Sequence, residues 1–230
     1  MPDVDCVFHN LTCLLRTLRN RASGAAVGAG FNAATLHSMD SWGLLNRTSP
    51  LPPFVHSWTT VTDNSDLVAD LLALFFQQHH SSVHFFDMYL FIEDMNNNRT
   101  NFCTPLLVNA VLAIGCTTAE GCNDNGNLLS TSSLAASFYL EARRHWHAQE
   151  GHDSITRIQG GVLLAYLCNM AGRDKIGLSF QDEAVRVAKA LGLFSVDPPA
   201  HAMIPPNGVT ADNWNHHRTV TAWMLFNWQA

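Results

Sequence analysis

The chain has 230 residues, of which 47% are hydrophobic and 14% charged, and its net charge is −6 with His neutral. These proportions exclude a disordered chain, which is poor in apolar residues and rich in charge, and they supply one sizeable core. The acidic balance argues against a chain that grips nucleic acid by itself, because neutralised phosphates provide most of that affinity.

Residues 1–64 are the weakest part of the pattern. A short amphipathic stretch at 7–18 carries Arg16 and, just beyond it, come Arg19 and Arg21, read as a solvated helix face. A run of small residues at 22–34 and the prolines Pro50, Pro52 and Pro53 follow. That composition predicts a linker or a loosely packed N-terminal arm. From Ser65 to residue 230 the pattern predicts a helical domain. Asp63 or Ser65 is placed to cap a helix whose apolar set (Leu67, Val68, Leu71, Leu72, Leu74, Phe75, Phe76) is too wide for one stripe, so that helix should be buried. A mixed aromatic segment at 85–95 ends in the polar loop 96–101. Thr104 then stands as an N-cap before Pro105 at the first helical position. Behind it residues 106–114 contain one polar side chain, Asn109, which predicts a central helix.

After a loop rich in Gly, Asn and Asp at 120–127, Leu134, Phe138, Ala142 and Trp146 recur every four residues. Ser154 should cap the next apolar helix and Gly172 should close it. The following helix turns Phe180, Ala184, Val187, Ala188 and Leu191 inward, pairs Asp182 with Arg186 outward, and ends at Gly192. A proline-rich loop leads to a last helix carrying Trp214, Trp223, Leu225, Phe226 and Trp228. No useful strand alternation occurs, so the expected architecture is an all-α, multi-helix array. A final helix with so many large apolar residues asks for a further partner, which predicts truncation at the C-terminus.

The motifs that carry chemistry each lack a necessary member. Gly28, Gly30 and Ala33 fit a dinucleotide loop, but no strand precedes them and no acid follows at the required distance. Gly177-Leu178-Ser179 lacks the second glycine of a nucleophile elbow. His80 and His84 stand four apart without the Glu of a metalloprotease helix, and His145 and His147 point to different faces. The loop at 122–127 has no acid or Glu at the terminal positions of a calcium loop. Glu93-Asp94 lacks a further acid at helical spacing. The reading is therefore of a non-enzyme with no catalytic, cofactor-binding or metal-binding residue to name. An all-α enzyme acting on a hydrophobic metabolite, or a truncated interaction module that does not bind DNA, are the alternatives.

The six cysteines (Cys6, Cys13, Cys103, Cys116, Cys122, Cys168) form no C-x-x-C pair, and residues 1–5 carry no basic export signal, so they are expected to be reduced. The sequons at Asn10, Asn46 and Asn98 are then chance matches. No apolar run reaches membrane-spanning length, and no membrane partner is expected.

From Leu67 onward the chain resembles the fungal-specific transcription factor domain, the middle homology region of fungal zinc binuclear-cluster factors. The segments that carry the resemblance come in the family's order. They are Leu71 to His80, Phe91 to Met95, Pro105 to Gly115 and Phe138 to Arg143, then Ser154 to Leu164, Gly172 to Leu193, and His217 to Phe226. Phe194 and His217 depart from the family's usual His and Arg. The resemblance implies a nuclear regulator of polymerase II transcription. Its implied partners are other segments of the same factor, the transcription machinery, a small-molecule effector, or a second copy of the chain. DNA contact and zinc belong, by the resemblance, to a six-cysteine cluster that this sequence does not contain.

Overall fold

The computed structural model describes residues 55–119 and 133–229. The 7–18 stretch, the Gly28 motif, the 120–127 loop, and Cys6, Cys13 and Cys122 lie outside the described residues. Among those described, the chain forms eight α-helices and no strand: α1 (Val55–Trp58), α2 (Ser65–Phe75), α3 (Met88–Asn96), α4 (Pro105–Ala119), α5 (Leu134–Ala148), α6 (Ile155–Met170), α7 (Asp174–Ala190) and α8 (Ala211–Gln229). A π-helical turn, Phe76–His80, extends α2, and a 3₁₀ turn, Ala200–Met203, precedes α8. The expected all-α array is the one observed.

α4 is the axis of the array. Its residues from Leu106 to Thr117 are all buried, and it packs against α1, α2, α5 and α6. Each fully buried Leu or Ile there stabilises the fold by about 1.5–3 kcal/mol relative to exposure. Thr104 caps it as expected, its Oγ1 accepting from the Leu107 N–H at 3.4 Å. Gly115 lets α2 approach backbone to backbone, since a Cβ there would overlap the Leu71 carbonyl. Asn109, the lone polar residue of the run, is fully buried and fully used. Its amide donates to the carbonyls of Trp58 and Pro105, each at 2.8 Å, and its Oδ1 accepts from the Thr59 hydroxyl at 2.8 Å. Through these bonds α1 is pinned to the core, so core packing includes residues upstream of Ser65.

One helix end differs from expectation, and by a single residue. The cap of α2 is Asn64, whose side-chain Oδ1 accepts from the N–H groups of Asp66 and Leu67. Asn64 has the extended backbone that an N-cap requires; Asp63 lies one residue too early and Ser65 is already helical. Ser154 caps α6 as expected. Gly172 and Gly192, with φ of 65° and 62°, close α6 and α7. In both, the next residue's N–H returns to the helix, from Arg173 to Cys168 O and from Leu193 to Ala188 O. The expected Asp182–Arg186 pair is replaced. Arg186 instead binds Glu183 and Asp153, each at 2.8 Å, because two carboxylates converge on one guanidinium fork there.

A buried arginine ties α5, α6 and α7 together. Arg157 lies 4.2 Å above the Trp146 ring, donates to the Trp146 carbonyl at 2.9 Å and reaches Glu183 at 3.5 Å. Trp146 in turn meets Phe180 edge-on. On the opposite flank, Phe75, Phe76, Phe85, Phe86 and Phe91 form an aromatic cluster with ring centroids 4.8–6.1 Å apart.

Candidate functional site

Those chemistry-bearing residues singled out by the sequence that lie among the described residues are engaged within the fold. Glu93 and Asp94 both hold Arg99, at 2.5 and 3.0 Å, and Asp94 also accepts from the Phe102 N–H at 2.7 Å. They close the polar loop after α3. His80 is buried against Phe75, Phe76 and Phe86, and His84 lies beside it with ring centroids 5.6 Å apart. Burial, then His84, pushes the His80 pKa down to about 3, so it packs as a neutral ring. His145 faces Glu141 and His147 faces Glu150. Ser179 lies within α7 and donates to the Ile176 carbonyl. Cys103 and Cys168 are buried free thiols, and Cys116 is buried within α4. Among the described residues, no group of three or more His, Cys, Asp or Glu is placed to hold a metal ion.

The π-helical turn makes an arrangement that periodicity did not indicate. The wider turn places His79 between two helices. Its Nδ1 shares a hydrogen bond with the Tyr166 hydroxyl of α6 at 2.8 Å, and its Nε2 shares one with Thr118 of α4 at 2.6 Å. Tyr166 then meets Phe85 and Trp228, which brings α8 onto this flank. Another fastening of α8 is a buried polar contact: Gln159 Nε2 donates to the Thr221 hydroxyl at 2.7 Å, beside His217. Burial, then His216, holds the His217 pKa down at about 3. At this position a neutral ring packs on Phe102, with centroids 4.8 Å apart.

Between these fastenings and the loop after α7 lies an open groove of about 640 Å³. One wall is the α7 terminus and its loop: Leu193, Phe194, Val196 and Pro198. The other is one face of α8, with Asn215, Arg218, Thr219, Ala222, Trp223 and Phe226 at helical spacing, and Met203 closes one end. Gly192 makes the turn between α7 and the loop possible. It has positive φ, and a Cβ would lie 2.5 Å from Pro199 Cδ and 3.1 Å from Pro198 Cα. The lining is apolar and uncovered: Trp223 is 62% exposed, Phe226 57% and Val196 96%. Scattered exposed apolar residues need no explanation, but a contiguous set marks a contact site.

Arg218 is the one ionisable side chain of the lining. It is 7% exposed. Its Nη1 donates to the Ala202 carbonyl at 2.9 Å and its Nη2 to the Leu191 carbonyl at 3.1 Å. The Ala202 carbonyl also accepts from Trp214 Nε1 at 3.1 Å, so the 3₁₀ turn is clasped to α8. Burial lowers the Arg218 pKa from its ordinary value, and no described carboxylate acts in the other direction. The sequence reading missed this groove. Leu191-Gly192-Leu193 and His217 to Phe226 were recognised as separate segments, and nothing in either showed that they face each other.

The family profile described as the fungal specific transcription factor domain matches residues 72–199, more than half of the chain. Over 120 residues the chain is 33% identical to the notoamide biosynthesis transcriptional activator notL′ of Aspergillus versicolor, covering 51% of this chain and 18% of that protein. Over 142 residues it is 27% identical to the nitrogen assimilation transcription factor nirA of Emericella nidulans, covering 60% and 16%. Over 150 residues it is 26% identical to the nitrogen assimilation transcription factor nit-4 of Neurospora crassa, covering 60% and 14%. The chain thus spans less than a fifth of the length of these relatives. No solved structure matches it. The matched span includes the α7 wall of the groove, and α8 lies beyond it.

Proposed function

The chain belongs to the fungal specific transcription factor domain family, and from that membership we propose that it is the regulatory domain of a fungal RNA polymerase II transcription factor. It acts in the nucleus, responds to an effector or partner, and catalyses no reaction. Contact with DNA is made by a different segment, the zinc cluster of the factor. The observation that carries this reading is the match over residues 72–199 together with relatives that are themselves transcription factors. Two features of the chain support it. The acids and histidines with catalytic potential among the described residues serve as packing groups or loop ties. The surface of the described residues carries an open apolar groove, suited to binding rather than to proton transfer. No helix of the described residues is long and apolar enough to cross a membrane.

The test is transcriptional. The full chain is tethered to a heterologous DNA-binding module at a reporter promoter, and output is compared with the module alone at equal abundance. A several-fold change in output is expected. Unchanged output, with the fusion bound at the promoter, contradicts the reading.

A further inference from the structure

We propose that the groove between the α7 loop and α8 binds a small amphipathic monocarboxylate, with its apolar body along Trp223 and Phe226 and its carboxylate on Arg218. The inference deepens the regulatory reading, and rests on it only for the consequence of binding.

Three observations on the groove select this ligand class. First, the lining is apolar apart from Arg218, Ser195, Asn215 and Thr219, and its volume of about 640 Å³ falls within the range of small-molecule sites. Second, its single charge is a cation drawn largely out of water. A buried guanidinium is normally paired, because an uncompensated buried charge is costly. Arg218 has five N–H donors, yet its bonds are the two to the Ala202 and Leu191 carbonyls. Among the described residues its remaining donors have no acceptor, and none of its nitrogens is a sealed, unsatisfied atom. Third, no described carboxylate forms an ion pair with Arg218, although Arg99, Arg144, Arg157 and Arg186 all have one. Among the described residues Arg143 also lacks a carboxylate partner, but it lies over the Tyr139 ring, whereas Arg218 lines the groove. A ligand carboxylate would take the free donors without displacing the two carbonyl bonds that hold the walls together. A neutral ligand would leave those donors unpaired on desolvation, and a cationic ligand would meet a like charge.

The groove also places the apolar and anionic parts of such a ligand in order. Arg218, Ala222 and Phe226 follow one another at four-residue spacing along α8, so charge and ring lie along one line of the groove floor. A chain of medium length can lie along that line with its carboxylate at Arg218.

The probes are decanoate, decanol and decyltrimethylammonium, titrated below their micelle concentrations into the full chain by calorimetry. Decanoate should bind at least ~10-fold tighter than decanol, as expected for a charge-assisted bond to Arg, and the quaternary amine should not bind. Arg218→Lys should erode that preference, since a point charge does not reproduce the fork. Thr219→Trp is an independent check: Thr219 is exposed, so the indole should fill the groove and abolish decanoate binding while the thermal melt is retained. Equal binding of decanoate and decanol overturns the proposal. So does decanoate binding that survives Thr219→Trp, or capture of an acidic apolar peptide with no binding of decanoate. Loss of decanoate binding with a responsive reporter removes this inference alone, whereas decanoate binding with an unresponsive reporter removes the regulatory reading.

Discussion

At the scale of the residue, the strongest single determinant is Asn109. An amide in the centre of an apolar helix is costly unless every hydrogen bond is made, and here three are made, to Trp58, Thr59 and Pro105. Asn109→Leu should therefore destabilise the fold by roughly 2–4 kcal/mol in urea unfolding, because the Trp58 carbonyl and the Thr59 hydroxyl lose their buried partner. A loss below about 0.5 kcal/mol would contradict this account. Two carboxyls should shape the pH dependence in opposite senses. Hydrogen bonding from Arg144, helped by Thr60, holds the Glu141 pKa at about 2 against an ordinary 4.5. Its contribution to stability is present above 4.5 and is lost as pH falls toward about 2. Burial, then Asp66, raises the Asp70 pKa from 3.8 to about 6. The folded state thus favours the protonated acid, and stability falls as pH rises from about 4 to 6. Asp70→Asn should remove that fall and leave the variant more stable than wild type at pH 7. Urea midpoints measured across pH 3–7 decide it, and parallel profiles for the two proteins would refute the assignment.

At the scale of the element, helix starts and stops were readable where local chemistry sets them. Thr104-Pro105, Ser154, Gly172 and Gly192 all end or begin helices as their residue types demand. The π turn at Phe76–His80 was not readable, because apolar side chains surround it and the extra residue leaves no trace in the spacing. Nor was the groove, whose walls lie about twenty residues apart in sequence and are clasped by Arg218 on the Ala202 and Leu191 carbonyls. The candidate site was legible only as two motif segments. Arg157 is the element-level tie that the sequence disguised as one more helical basic residue. Arg157→Met should cost roughly 1–3 kcal/mol, because the buried Trp146 carbonyl loses its charged donor and the indole loses its stacked cation, and should lower the melting temperature together with the near-ultraviolet signal of Trp146. Gly192→Ala should cost roughly 1–2 kcal/mol from its positive φ and the encounter with Pro199. It should also weaken decanoate binding, since the displaced turn carries Phe194 and Val196. An unchanged melt and unchanged affinity would show that the turn does not set the groove.

At the scale of the whole molecule, α2, α4, α5, α6 and α7 form the dense body of the array. α8 joins that body through individual ties, among them the Gln159–Thr221 bond, the Arg218 clasp, His216 on Asp87, His217 on Phe102, and Trp228 against Gln181, Tyr166 and Phe85. One wall of the groove therefore belongs to the body and the other to α8. A ligand bound across both walls favours the arrangement in which they stand together. It can shift the equilibrium only by its differential affinity, and a tenfold difference corresponds to about 1.4 kcal/mol. That provides a physical route from groove to transcription without catalysis. The most direct test is reporter output from the tethered full chain carrying Trp223→Ser and Phe226→Ser together. Both side chains are more than half exposed, so the double variant should keep its melting temperature and promoter occupancy. The account predicts that the output change produced by the wild-type chain is lost by several-fold. Output equal to wild type, at equal abundance and occupancy, would contradict the claim that this groove is where regulation enters the domain.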